Sequence, residues 1–483
     1  MNKSIFKYIN IRSGLILALS SLVFQSCVPT KETRNEKNSL PENFQDVVSN
    51  DTINSAKIKW KEFFNDDNLK TLIDTALVRN QELNIMLQQV DMAKNEIQAR
   101  KGEYLPFVGI GGAADVEKVG RYTSQGANDA NTDIKPGKEF PEPLPNYTMG
   151  AFASWELDVW KKLRNSKKAA AMEYLSSVEG KNFMVTSLIA EIADSYYELE
   201  ALDNKLDILK QNLELQNNGL QTIRLQKEAA KATELGVQRL DAEVHKNKAE
   251  LYNVEQQIVE AENKINFLIG RSPQHIARDS NNFIAKNVGS LNVGIPSQLL
   301  TNRPDIRRAE YELQAAKLNT KVARANFYPS FTLRAGVGFE AFNLKYLVQS
   351  PTSLIYNLAG DVVAPLINRN AIKAYYSNAN DKQLQAVFDY EKTILNAHVE
   401  VVNGLSKINN LKKSYTEKEQ QVANLKNSIE IANKLFTSAR ADYMEVLLTQ
   451  RDALESKLQL VETKQEQLNA RVKLYKSLGG GWN

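Results

Sequence analysis

Phe331-Thr332-Leu333-Arg334-Ala335-Gly336-Val337-Gly338-Phe339-Glu340 carries an apolar side chain at every second position, with small, polar or charged residues between. That period of two is the mark of a strand with unlike faces. About ten residues of it suit a tilted strand crossing the hydrocarbon of a bilayer, with lipid on one face and water on the other. A second run repeats the pattern: Tyr147, Met149, Ala151, Ala153, Trp155, Leu157 and Val159 alternate with Thr148, Gly150, Phe152, Ser154, Glu156 and Asp158. Weaker candidates run from Phe107 to about Glu117 and from Thr352 to Ala364. A half-buried sheet in a water-soluble domain would show the same period. Four strands cannot close a barrel by themselves, so they form either a small open sheet or one share of a barrel built by several chains.

On either side of these strands the sequence reads as long helix. No Pro occurs between Pro145 and Pro273 or after Pro365, and both stretches are poor in Gly and rich in Ala, Leu, Glu, Lys and Gln. Leu202, Leu206, Leu209, Leu213, Leu220 and Ile223 keep heptad spacing, as do Leu454, Leu458, Val461, Leu468, Val472 and Tyr475. A helix from near Lys161 to near Leu225 would be on the order of 100 Å long and needs partners along its whole length.

The chain repeats itself. Arg79-Asn80-Gln81-Glu82-Leu83 aligns with Asn302-Arg303-Pro304-Asp305-Ile306 at an offset of 223, which also puts Tyr104 on Phe327 and Pro106 on Pro329. Past the strands the offset is 206, pairing Leu199 with Leu405; further on it is 209, pairing Val237 with Val446 and Gly270 with Gly479. The difference falls in a polar, proline-bearing loop at about Lys118 to Asn146, which reads as exposed. The organisation expected is a signal peptide over residues 1–26, a polar tether over 27–54, a first repeat over 55–275 and a second over 276–483. Each repeat runs helix, two strands, long helical hairpin.

Composition excludes several functions. The chain of 483 residues has 61 Lys and Arg against 57 Asp and Glu, and three of the basic residues, Lys3, Lys7 and Arg12, precede an apolar run from Gly14 to Phe24. That arrangement is a secretory signal, and without it the charge is nearly balanced, so nucleic acid is not implied. One Cys and three scattered His argue against disulfides and metal clusters. Cys27, after Gln25 and Ser26, resembles the acylated cysteine of a bacterial lipobox, with an ordinary secretory signal as the alternative. No later run is apolar enough for a membrane helix. No Ser/His/Asp set, phosphate loop or carboxylate pair stands out. Gly109-Ile110-Gly111-Gly112 lacks the strand-to-helix setting of a nucleotide loop and reads as strand. Tyr196 and Tyr197 read as packing residues, and Lys412 to Glu419 as a solvated helix face.

Ile295-Pro296-Ser297-Gln298-Leu299-Leu300, Arg303-Pro304-Asp305-Ile306, Ala309-Glu310, Ala315-Ala316 and Phe327-Tyr328-Pro329-Ser330 resemble the signature of TolC-type outer-membrane factors, in the efflux-associated, NodT-like lipoprotein branch. Trp60 with Phe63, Leu69, Ala76-Leu77 and Asn80, the segment Trp155 to Trp160, and the tail Leu478-Gly479-Gly480-Gly481-Trp482 resemble further blocks. The resemblance implies a mixed α/β membrane protein, internally duplicated. Its homotrimer pools four strands per chain into a 12-stranded β-barrel, continued by a coiled-coil helical tunnel in the periplasm. It further implies an outer-membrane, lipid-anchored duct in a tripartite efflux system, with no enzymatic activity and no cofactor beyond a covalent lipid at Cys27. A periplasmic adaptor and an inner-membrane pump, of RND type, would be its partners. A periplasmic coiled-coil scaffold and the duct of a protein secretion system are the other readings.

Arg303, Pro304 and Asp305 read as a helix start: Pro suits the first position, and a carboxylate there would meet open N–H groups and the positive end of the dipole. Leu105-Pro106 and Tyr328-Pro329 mark exits from helix to strand. For a working site the resemblance points to the far helical turn, Arg440-Ala441-Asp442-Tyr443-Met444-Glu445. There Glu445 would form a threefold carboxylate ring at the periplasmic gate, with Asp442 and Arg440 pairing between neighbouring helices. Solvated turn charges are the alternative. Leu447-Leu448 stands where the family often carries a second acid.

Overall fold

The computed structural model describes residues 34–37, 40–44, 53–289, 291–438 and 440–482. The signal peptide and Cys27 lie outside the described residues. Within the segment read as a tether, Phe44 is buried and its ring stacks on His398 with centroids 5.5 Å apart.

One series of elements occurs twice. The first copy is α1 (Asp67–Arg79), α2 (Gln81–Tyr104), β1 (Phe107–Glu117), β2 (Leu144–Leu157), α3 (Lys162–Glu228) and α4 (Glu234–Leu268). The second is α5 (Pro304–Ala325), β3 (Ser330–Ala341), β4 (Leu354–Val363), α6 (Asn370–Thr437) and α7 (Tyr443–Ser477). α4 and α7 are each 35 residues long, as duplication of one unit requires. The chain forms two compact units, each drawing on both copies. One includes Asp91–Tyr174 and Tyr311–Val387; the other comprises Glu36–Val90, Leu175–Glu310 and Phe388–Asn483.

In the first unit β1 to β4 form one antiparallel sheet in sequence order. All four predicted strands are present. The register is continuous across it: Gly111 pairs with Gly150 and Gly150 with Gly338. A Cβ on Gly150 would sit 2.5 Å from the Val337 carbonyl oxygen and 2.8 Å from Gly338 Cα, so β2 and β3 meet here only because both residues lack one. The long loop between β1 and β2 is more ordered than its polar sequence suggests. It holds a short helix, Ser124–Asp129, capped by the Thr123 hydroxyl, and a small hairpin of Asp133–Lys135 with Lys138–Glu139. Where β2 gives way to α3, the Asp158 carboxylate accepts from the N–H groups of Leu163 and Arg164, each at 2.9 Å, which caps the helix. The indole of Trp160 donates to Pro329 O at 2.7 Å and stacks on Tyr328, so Trp155 to Trp160 is a joint between strand and helix.

The second unit is a packed helical body. Leu69, Ile73, Ile192, Tyr196, Leu199, Ile265, Val472 and Tyr475 share one core. Of the two predicted seams, Leu202, Leu209, Leu220 and Ile223 and likewise Leu454, Val461, Leu468, Val472 and Tyr475 are buried. Tyr196 packs as expected and also donates from its hydroxyl to Asp66, 3.2 Å from each carboxylate oxygen.

The duplication is physically visible in two equivalent clasps. At the end of α4, Gly270 (φ 69) lies against the Arg79 carbonyl, and Asn80 Nδ2 donates to Leu268 O at 2.8 Å. At the end of α7, Gly479 (φ 93) lies against the Asn302 carbonyl, and Arg303 Nη1 donates to Ser477 O at 2.9 Å. Each partner is displaced by the repeat offset, 223 before the strands and 209 at the helix ends. The positive φ at both glycines is a conformation that side-chain-bearing residues resist.

The second clasp has diverged. Pro304 opens α5 as predicted, but the Asp305 carboxylate does not turn to the open N–H groups. Buried Arg303 takes both its oxygens, at 3.0 and 2.6 Å, because a guanidinium two residues upstream offers a two-pronged donor that matches a carboxylate. Arg303 Nη1 also reaches Glu400 at 2.7 Å. The tail closes over this: Trp482 Nε1 donates to Asn302 O and Gly479 O, and Arg307 lies 5.6 Å over its ring. Arg303→Ala leaves these carboxylates without their cation, and the expected loss is roughly 3 kcal/mol. Asn80→Ala removes one neutral hydrogen bond and should cost about 1 kcal/mol. Denaturant midpoints of the detergent-solubilised protein measure both.

Candidate functional site

The register sorts every strand residue onto one of two faces. One face carries Val108, Ile110, Val116, Tyr147, Met149, Trp155, Phe331, Leu333, Val337, Tyr356, Leu358 and Val362, with no charged side chain. Ile110 is 87%, Tyr356 82% and Leu358 79% exposed, so this apolar face is open. Water would penalise a contiguous open patch of this kind and lipid would not. The opposite face carries Asp115, Glu117, Glu156, Glu340 and Asp361 against Arg334 alone, with Asn146, Thr148, Ser154, Thr332 and Asn357. Asn146 donates to Glu340 at 2.8 Å, and Arg334 lies 3.5 Å from Asp361. A hollow of about 550 Å³ opens on this polar face. The outer edges of β1 and β4 have no strand partner among the described residues.

The predicted gate residues occupy the turn between α6 and α7. Arg440 N–H bonds back to Leu435 O at 2.9 Å, Asp442 is the residue before α7, and Glu445 lies in the first turn of α7. All three are exposed. Within one chain no ion pair of the described residues joins Arg440 to Asp442. Glu445 borders a shallow groove with Ile431, Leu435 and Leu448. Leu447 is buried in a small core with Leu220, Ile223, Val237, Leu240 and Val244, which ties the two hairpin tips together. In the equivalent turn of the first copy, Lys227 pairs with Glu234, and hydrogen bonds from Lys227 and Gln238 hold this carboxyl below its usual range.

Two charge clusters were not visible in the sequence, because their members lie far apart along it. Lys286 holds Glu200 at 2.6 and 2.7 Å and Asp66 at 3.0 Å. Burial pushes Glu200 up to about 7, against the pull of Lys286. Arg278 spans Asp203 and Glu262 in the same segment. Among the described residues no group of three or more His, Cys, Asp or Glu side chains is placed to hold a metal ion.

A third feature follows from the repeat itself. The offset of 206 that pairs Leu199 with Leu405 puts Asp194 where the second copy has Glu400, while Asn80 stands where it has Arg303. The first copy thus keeps the acid and lacks the guanidinium. Burial raises Asp194 to about 6, opposed by Lys473 at 3.9 Å and by Lys264 and Lys476, and reinforced by Glu191. Its Oδ1 is buried without a hydrogen-bond partner. A carboxyl raised on folding holds its proton longer in the folded chain, so stability falls as pH rises from about 4 to about 6 and is level above. Asp194→Asn should flatten that slope and gain up to about 3 kcal/mol at pH 7, read from unfolding midpoints between pH 4 and 8.

A family model described as outer membrane efflux protein matches residues 72–271 and 295–480. The toluene efflux pump outer membrane protein TtgI of Pseudomonas putida is 28% identical over 433 residues, covering 89% of each chain. The cation efflux system protein CusC of Escherichia coli is 25% identical over 448 residues, 92% of this chain and 93% of that one. Among solved structures, the open state of the MtrE outer membrane channel of Neisseria gonorrhoeae superposes with a TM-score of 0.81 at 23% identity, covering 95% and 99% of the two chains.

Proposed function

The chain belongs to the outer membrane efflux protein family, of TolC type, and we propose on that footing that it is the outer-membrane channel of a tripartite efflux system, a passive exit duct. The observation that carries this reading is the sheet: an open, uncharged apolar face, a polar face behind it, and two unpaired edges. In hydrocarbon each unpaired backbone group costs several kcal/mol, so strands cross a membrane only in a closed barrel. Three chains joined β4 to β1 supply twelve strands and close it. The acidic polar face then lines the water-filled interior. Purified protein should migrate as a heat-modifiable trimer and open ion-conducting pores in planar bilayers.

In this reading Cys27 carries the lipid anchor, a periplasmic adaptor and an inner-membrane pump of RND type deliver the solute, and the pump supplies the energy. The acids of the polar face, which outnumber its single Arg334, favour the passage of cations along it. Glu445, three times around the axis, focuses a negative field at the periplasmic entrance, and Asp442 with Arg440 ties neighbouring tips. Glu445→Gln should weaken cation preference in single-channel reversal potentials, and unchanged selectivity and cation block would take this residue out of the gate. On the apolar face, Leu358→Arg should cost roughly 2–4 kcal/mol of membrane stability, whereas Thr332→Arg on the polar face should cost little. Urea titration of protein folded into vesicles compares the two.

A further inference from the structure

Phe152 is an aromatic side chain on the charge-bearing face of the sheet. It stands on the polar side of β2, in register between Gly109 and Gly336, and is 48% exposed. Its ring lies across Gly109, where an added Cβ would fall 2.8 Å from Phe152 Cζ, and its centroid is 6.0 Å from that of Phe107. Beside it is the hollow of about 550 Å³, whose floor is the backbone of Gly111, Gly150, Gly336 and Gly338. Phe152, Ile355, Thr148, Asn357 and Glu340 also line it, with the Asn357 amide lying over Gly336. A glycine-rich lining, an aromatic ring beside it and a carboxylate among the lining residues suit a planar ring attached to a positive charge.

We propose that this hollow is a transit site for organic cations bearing an aromatic ring, present three times around the barrel interior. The inference rests on the channel reading, which makes this face the lining of the pore. The ring of the solute slides over the glycine floor against Phe152, while the cation faces Glu340 and the surplus carboxylates of the wall. One ring contact holds the solute weakly, as a duct requires: binding strong enough to admit it and weak enough to release it.

Single channels of the wild-type protein in planar bilayers test this by titration with benzyltrimethylammonium. The comparison cations are tetramethylammonium and (cyclohexylmethyl)trimethylammonium, which carry the same charge with no ring or a saturated one. The half-blocking concentration of the aromatic cation should be roughly three- to tenfold below that of either. Phe152→Leu should bring the ratios to about one, and Phe152→Tyr should keep them. Equal block by the aromatic and saturated cations, or a ratio that survives Phe152→Leu, overturns the site and leaves the channel reading standing. Wild-type protein that opens no channels overturns both. The three-cation comparison needs no variant, so it decides the matter even if Phe152→Leu fails to assemble.

Discussion

The constraint beneath this structure is that a peptide group in hydrocarbon has no water to bond. A strand there must find every partner in other strands, and the described residues of one chain provide a four-stranded sheet with two edges left over. Period two decides which side of those strands tolerates lipid, and the unpaired edges decide that the chain cannot act alone. The long helices answer a related need. Their heptad seams bury one stripe, and residues such as Ile85, Met92, Tyr252 and Leu395 remain exposed on the single chain.

How plainly each element could be read depended on what its inner face carries. β2 and β3 announce themselves because Thr, Ser, Arg and Glu alternate with their apolar residues. β1 does not, because its inward positions begin Phe107, Gly109, Gly111 and Ala113, which blur the alternation that the register restores. Helix extents were legible from the distribution of Pro and Gly, and the duplication from matched offsets. The Arg303 hub was not, since it reaches Glu400 and Ser477 across about a hundred and more residues of chain, and a local helix-start rule sees only Pro304 and Asp305. The hollow beside Phe152 was equally hidden: it depends on four glycines from three strands arriving side by side.

The glycines of the sheet and those of the clasps do different work. Gly150 and Gly338 let two strands approach more closely than a methyl group allows, whereas Gly270 and Gly479 reverse the chain at positive φ beneath a carbonyl. In both cases what matters is the missing Cβ, which sequence alone does not distinguish from tolerance of a small residue.

The two clasps began as equals and no longer are. One is cinched by a buried cation, two acids and a tryptophan cover; the other relies on an amide and leaves an acid wanting. A chain built of two halves with fastenings of unequal strength is mechanically lopsided. Of the two halves, the one closed by the amide is held by fewer charged ties.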